Sequence, residues 1–256
     1  NLAKMIGPAV GGLVLKLWGA DICFLLNAVS FIAVISCLLM MKLPRQVRHA
    51  VKKRVHTELA DAFRYLGNTP EIAHVIGMLA MMSLLVLPYR TLLPVFAKAV
   101  FLGDAGTYGV ISGFIGLGAL LGAVFLASLR RTDLKHVLLI NTVLLGIGLI
   151  AFSFLRSFPA AMAVALVIGF GAMAQTTVCI TIVQVRSDPA FLGRVMSYVA
   201  MASLGTMPLG SLLVGAVSER IGANYAMLGQ GVLALIIAVV FFRSLLRRRP
   251  GMVGTV

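Results

Sequence analysis

The sequence predicts an all-α membrane protein with eight transmembrane helices, and three observations carry that expectation. Hydrophobic residues make up 60% of the 256 and charged residues only 12%, with a mean hydropathy of +1.03. A water-soluble domain is about 45–50% apolar and about a quarter charged. Apolar runs of about 20 residues recur along the chain, the length a helix needs to cross ~30 Å of hydrocarbon. These runs also lack the alternation of barrel strands, so their backbone polar groups are satisfied within a lipid core only as helices. The spans read as residues 2–18, 22–41, 72–97, 108–129, 137–155, 160–185, 195–217 and 225–242.

The first two spans fall in residues 1–41. The opening span holds IGPAVGG, with Gly7, Pro8, Gly11 and Gly12. In water each interior Gly costs a helix up to ~1 kcal/mol and an interior Pro about 3. Inside a membrane, neighbouring helices re-satisfy the freed backbone groups, so the segment persists as a span. Trp18 and Tyr225 sit at span ends, where amphipathic rings favour the interface. Asn27 and Ser30, on the second span, are expected to serve helix packing. Asn1 lies within an apolar run with no charged n-region or cleavage site before it. No signal peptide is read, and a further N-terminal part is expected upstream.

Residues 42–71 form the one long polar connection, rich in cations from Lys42 to Arg64. Its second half, ELADAFRYLGNTPEI, places Leu59, Phe63 and Leu66 at helical spacing. Two readings stand: a short amphipathic helix on the membrane surface, or a solvated linker whose charge sets topology. With the turns at 130–136 and 186–194 and the tail 243–256, sixteen Lys and Arg fall on one side of the membrane, against four on the other. The positive-inside rule makes the loop and the tail cytoplasmic. The net charge of +14 is therefore a topology signal and not a nucleic-acid surface.

Residues 72–242 hold six spans and are expected to form one bundle. Arg90 lies well inside the first of these, between Pro88 and Pro94, with Ser83 on nearly the same face. An intramembrane charge marks a functional site by default. Arg90 would attract an anionic substrate, pair with a carboxylate of a further helix, or snorkel to the interface. Gln175 and Cys179 share a face at i, i+4, lining a cavity or joining helices by hydrogen bonds. Gly118 and Gly122 form a GxxxG face suited to close helix contact. An offset of 203 residues superposes Gly7 on Gly210, Gly12 on Gly215 and Gly19 on Gly222, with Pro8 and Pro208 three residues out of register. Internal repeats of this kind are common in secondary transporters.

Enzyme chemistry finds no support. His49, His56, His74 and His136 lie in or beside loops with no HExxH, and no Walker loop is present. Cys23, Cys37 and Cys179 lack metal-ligand spacing and read as small core residues, so no cofactor or metal is expected. The acidic residues all map to loops or span ends, so a coupling carboxylate would lie outside these residues.

IGPAVGG matches the GPxxGG core of the fifth-helix motif of major facilitator superfamily exporters. FLLNAVSF, PYRTLLPVFA, LGRVMSY and TMPLGSLLVG extend the similarity along essentially the whole chain. Together they resemble the enterobactin-exporter-like, transmembrane secretion effector branch. SLRRTDLKH at 128–136 echoes the family's loop motif only faintly. The resemblance implies helices five to twelve of twelve, the first four being absent. It also implies a bacterial inner-membrane exporter of siderophores or amphipathic drug-like molecules, driven by an ion gradient through alternating access. The other reading is a non-transporting scaffold or receptor on the same fold. In the family the fifth and eighth helices meet between bundles. Gly7 or Gly11 is therefore expected close to Gly118 or Gly122, as a pivot or as static packing.

Overall fold

The apolar runs fold as helices whose ends are set by glycine and proline. The computed structural model describes residues 2–41, 64–128, 134–189 and 191–246. The helices are α1 (Leu2–Met40), α2 (Pro70–Val100), α3 (Ala105–Ser128), α4 (Leu134–Phe154), α5 (Phe158–Arg186), α6 (Leu192–Ile221) and α7 (Ala223–Leu246). Gly19 divides α1 with φ 79° and ψ 179°. Among the described residues seven helices are long and apolar enough to cross a membrane, the first being residues 21–40. The stretch before Gly19 is an eighth, shorter helical segment.

The two positive-φ glycines mark the repeat. Gly222 separates α6 from α7 with φ 88°, and it lies 203 residues after Gly19, the offset that aligns the two halves. An L side chain rarely adopts this conformation, so both helix junctions depend on glycine. Elsewhere proline starts the helices: Pro70, Pro159 and Pro208 sit in first turns, where a missing N–H costs nothing.

Lipid tails are as apolar as leucine, so burial alone does not hold membrane helices together; close packing does. The α3–α5 contact shows how. A Cβ on Gly118 would lie 1.9 Å from the Leu166 carbonyl oxygen, and one on Gly169 would lie 1.9 Å from that of Ile115. Each helix thus presents a bare Cα to a carbonyl of the other, at the approach that suits Cα–H···O contacts. Gly122 extends the seam, 2.9 Å by the same measure from the Phe170 oxygen. Gly146 and Gly231 make a second reciprocal seam between α4 and α7. α4 also packs on α5, and α2 sits among α5, α6 and α7.

α1 packs against α3. On α3, Gly118 and Gly122 turn their bare faces to α5. The GxxxG spacing of α3 thus serves a close contact with α5. Gly7, Pro8, Gly11 and Gly12 belong to the α1 backbone, and their side-chain surroundings lie outside the described residues. Beyond Gly19, residues 21–40 are exposed almost all round, including Asn27 and Ser30, and the Ser30 hydroxyl donates to the Asn27 carbonyl of its own helix (2.7 Å). Among the described residues those two therefore do not pack against another helix.

One end of the bundle gathers the charge. Glu71 at the start of α2 lies 3.0 Å from Lys135 at the start of α4 and 3.9 Å from Arg186 at the end of α5. The segment before α2 docks here. Residues 64–68 are helical, Leu66 is buried, Tyr65 stacks on Phe191 at 4.7 Å, and Asp188 N–H donates to the Tyr65 hydroxyl (3.0 Å). The described part thus belongs to the bundle rather than to a membrane surface. Leu59, Phe63, the cations from Lys42 to Arg54, Arg130, Arg131 and the residues after 246 lie outside the described residues.

Candidate functional site

Two broken helices shape the site. In α2 the regular helix stops at Leu85, and Leu87–Thr91 form a tighter turn. Pro88 has no N–H, so the Leu84 carbonyl loses its helical donor. Tyr89 N–H bonds instead to Val86 O at 3.1 Å, and Leu92 N–H to Tyr89 O at 3.0 Å. Pro94 then removes the donor owed to the Arg90 carbonyl, and the helix widens over Phe96–Val100. Two neighbours cover the break. Gly210 of α6 approaches so closely that a Cβ there would lie 2.1 Å from Leu84 O. Gln230 of α7 reaches Val86 O with its side-chain amide at 3.4 Å.

α6 is interrupted in the same manner. It widens over Met201–Gly205 and restarts at Met207, with Pro208 in the first turn. The Ser203 and Thr206 hydroxyls donate to the carbonyls of Val199 (2.8 Å) and Ala202 (2.7 Å), which satisfies them without water. Breaks of this kind are tolerated at membrane depth where they are buried in protein or line a cavity.

The breaks border a cavity of about 570 Å³ walled by α2, α3, α5 and α6. Its polar lining consists of Ser83, Arg90, Tyr108, Ser112, Thr176 and Ser203. The remaining wall is apolar and includes Met173, Met196 and Met207. Arg90 is exposed to this space, with its guanidinium carbon 6.0 Å from the Tyr89 ring centre. No carboxylate pairs with it among the described residues, and no acidic residue lines the cavity. Ser83 and Ser112 are 1% and 9% exposed, and their hydroxyls have no hydrogen-bond partner among the described residues. Thr176, on the same wall, donates to its own Ala172 carbonyl at 2.9 Å.

Of the residues expected to line a cavity, Ser83 and Arg90 do so; Gln175 and Cys179 do not. Gln175 is fully buried, with its amide 3.6 Å from the Cys179 sulfur. The pair lies among packed helices, and Thr176 and Ile180, one position further along, face the cavity. One residue turns a helix by about 100°, so a polar stretch alone fixes no facing direction. Ser112 and Ser203 carried no sequence signal beyond being hydroxyls in apolar runs. Gly210 sits beside the α2 break and Pro208 in the first turn of the restarted α6, whereas nothing lies within 4 Å of a Cβ built on Gly215.

The model of the transmembrane secretion effector family matches residues 1–251. The chain belongs to that family, a branch of the major facilitator superfamily. As a member it is a multi-pass membrane protein of a transporter family, not of an enzyme family. It is similar to the staphyloferrin A transporter of Staphylococcus aureus, 26% identical over 94% of this chain and 60% of that protein. It is also similar to the multidrug efflux pump Tap of Mycolicibacterium fortuitum, at 23% over 94% and 59%. Macrolide efflux protein A of Streptococcus pyogenes is 20% identical over 94% and 60%. The chain therefore spans about three-fifths of the length of these relatives.

Proposed function

We propose that this chain is the larger part of a secondary active exporter, corresponding to helices five to twelve of twelve. The observation that carries the reading is the cavity itself. Two proline-broken helices and a lone intramembrane arginine border a space of about 570 Å³, large enough for a small organic molecule. Its relatives are a siderophore transporter and drug efflux pumps by name, which supports siderophores or amphipathic drug-like molecules as cargo. Four preceding helices would complete the transporter and cover the exposed residues 21–40. Transport would proceed by alternating access, with the two bundles rocking about the site. Proton coupling would draw on a carboxylate from those preceding helices, since the cavity wall described here has none. The basic end of the bundle would face the cytoplasm of a bacterial cell, placing the C-terminus inside.

Everted membrane vesicles carrying the full-length protein test this reading. Acidifying their lumen should drive accumulation of an amphipathic fluorescent substrate, and a protonophore should abolish it. Vesicles that accumulate no more than controls, with the protein verifiably inserted, would favour the scaffold alternative.

A further inference from the structure

The cavity's donors and acceptors are unbalanced, and that imbalance selects a class of ligand. Resting on the transport reading above, we propose that the cavity takes amphipathic organic anions. The anionic head sits among Arg90, Ser83 and Ser112, and the apolar body lies against the methionine-bearing wall.

Arg90 supplies five N–H donors and no acceptor. Among the described residues it is the only charged one on the cavity wall, and no carboxylate neutralises it. A cationic ligand would meet like charge with no counter-ion among the described residues, at a depth where an uncompensated charge is costly. The hydroxyls sharpen the selection. Thr176 and Ser203 have already committed their protons to carbonyls of their own helices. Ser83 and Ser112 have not. Both are at least nine-tenths buried, both line the cavity and both lack a partner among the described residues. Ser83 lies on α2, seven residues before Arg90, and Ser112 faces in from α3. An unmet buried hydroxyl is destabilising until a ligand oxygen accepts its proton. Donors converging from two helices with no acidic acceptor suit a carboxylate or sulfonate. The rest of the wall adapts to the body: Met173, Met196 and Met207 have flexible, polarisable side chains that fill irregular shapes.

The test compares two ligands that differ in one group. Purified full-length protein in nanodiscs is titrated with 1-pyrenebutyrate and with its uncharged primary amide, subtracting empty discs. The acid should bind at least ~10-fold more tightly than the amide, as a charge-assisted hydrogen bond provides. Arg90→Gln should erase that preference and leave amide binding within about twofold, and Arg90→Lys should keep part of it. The double variant Ser83→Ala with Ser112→Ala should weaken acid binding about fivefold and amide binding by less, because a carboxylate accepts a hydrogen bond more strongly than an amide carbonyl. Equal binding of acid and amide to the unaltered protein overturns the proposal. So does an equal loss of both ligands in Arg90→Gln, the mark of an ion pair holding the fold. Tighter binding of a pyrenebutyl-trimethylammonium ion than of the acid overturns it as well. Anion preference without export by energised vesicles would sink the exporter reading alone, and export without anion preference would sink this one alone.

Discussion

The α3–α5 pair and the α2–α6 pair both bring backbones into contact through glycine, and they do so to different ends. Between α3 and α5 the contact is reciprocal. Gly118 meets the Leu166 carbonyl and Gly169 meets the Ile115 carbonyl, and both helices run unbroken through the seam. Between α2 and α6 it is one-sided. Gly210 meets the Leu84 carbonyl, whose helical donor Pro88 has removed, and both helices are interrupted nearby. The first arrangement joins two intact rods. The second covers a break, and the break presents Arg90 to the cavity. Close glycine contact is therefore a means of approach, and what it accomplishes depends on whether the carbonyl it meets already has a donor.

Alanine at each glycine breaks or sharpens this contrast. The largest effect is expected at Gly118, where the new methyl would meet backbone that has no room to shift. Gly118→Ala should cost ~3 kcal/mol or more, the upper range for overpacking, measured as lost folded yield and a lower Tm in detergent. Pairing it with Gly169→Ala should cost less than the sum, because the first substitution already separates the helices. Gly222→Ala comes next, at about 1–2 kcal/mol for a positive φ with no crowding around it.

Gly210→Ala is the discriminating case. Its methyl would press on Leu84 O and on the Pro88 ring, but the broken stretch has fewer helical bonds to resist displacement. The stability loss should be ~1–2 kcal/mol, below that of Gly118→Ala. Binding or export should fall further than stability does, because the Arg90 turn moves with Pro88. A Gly210→Ala protein as unstable as Gly118→Ala, with unaltered ligand preference, would show both seams to be the same kind of packing. The smallest effect is expected at Gly215. With open space around its Cβ, Gly215→Ala should be neutral or stabilise α6 by up to ~1 kcal/mol through helix propensity. Any marked loss there would mean that this face is covered in the complete transporter.

The α2 break could be read from the sequence because proline acts locally. Pro88 and Pro94 each remove a donor whatever surrounds them, so a distorted segment around Arg90 follows from position alone. The docking of Tyr65 and Leu66 could not be read in this way. Helical spacing at Leu59, Phe63 and Leu66 indicates an apolar face but not whether lipid or protein covers it. Phe191, which Tyr65 stacks upon, lies 126 positions later. Ser112 was equally hidden: only the convergence of four helices distinguishes its hydroxyl from that of Ser203, which bonds back into its own helix.

By itself the sequence determined the membrane, the spans, the repeat that pairs Gly19 with Gly222, and the arginine between two prolines. Each of these follows from hydrophobic length, from recurring glycines or from a missing N–H, all properties of segments in a known solvent. Only the tertiary structure decided that Gly118 and Gly122 meet α5, that Gln175 and Cys179 turn inward to other helices, and that Thr176 takes the place facing the cavity. In lipid every face of a helix is acceptably apolar, so no solvent preference sets its rotation. The rotation comes from which backbones approach most closely, and that is a property of pairs of helices.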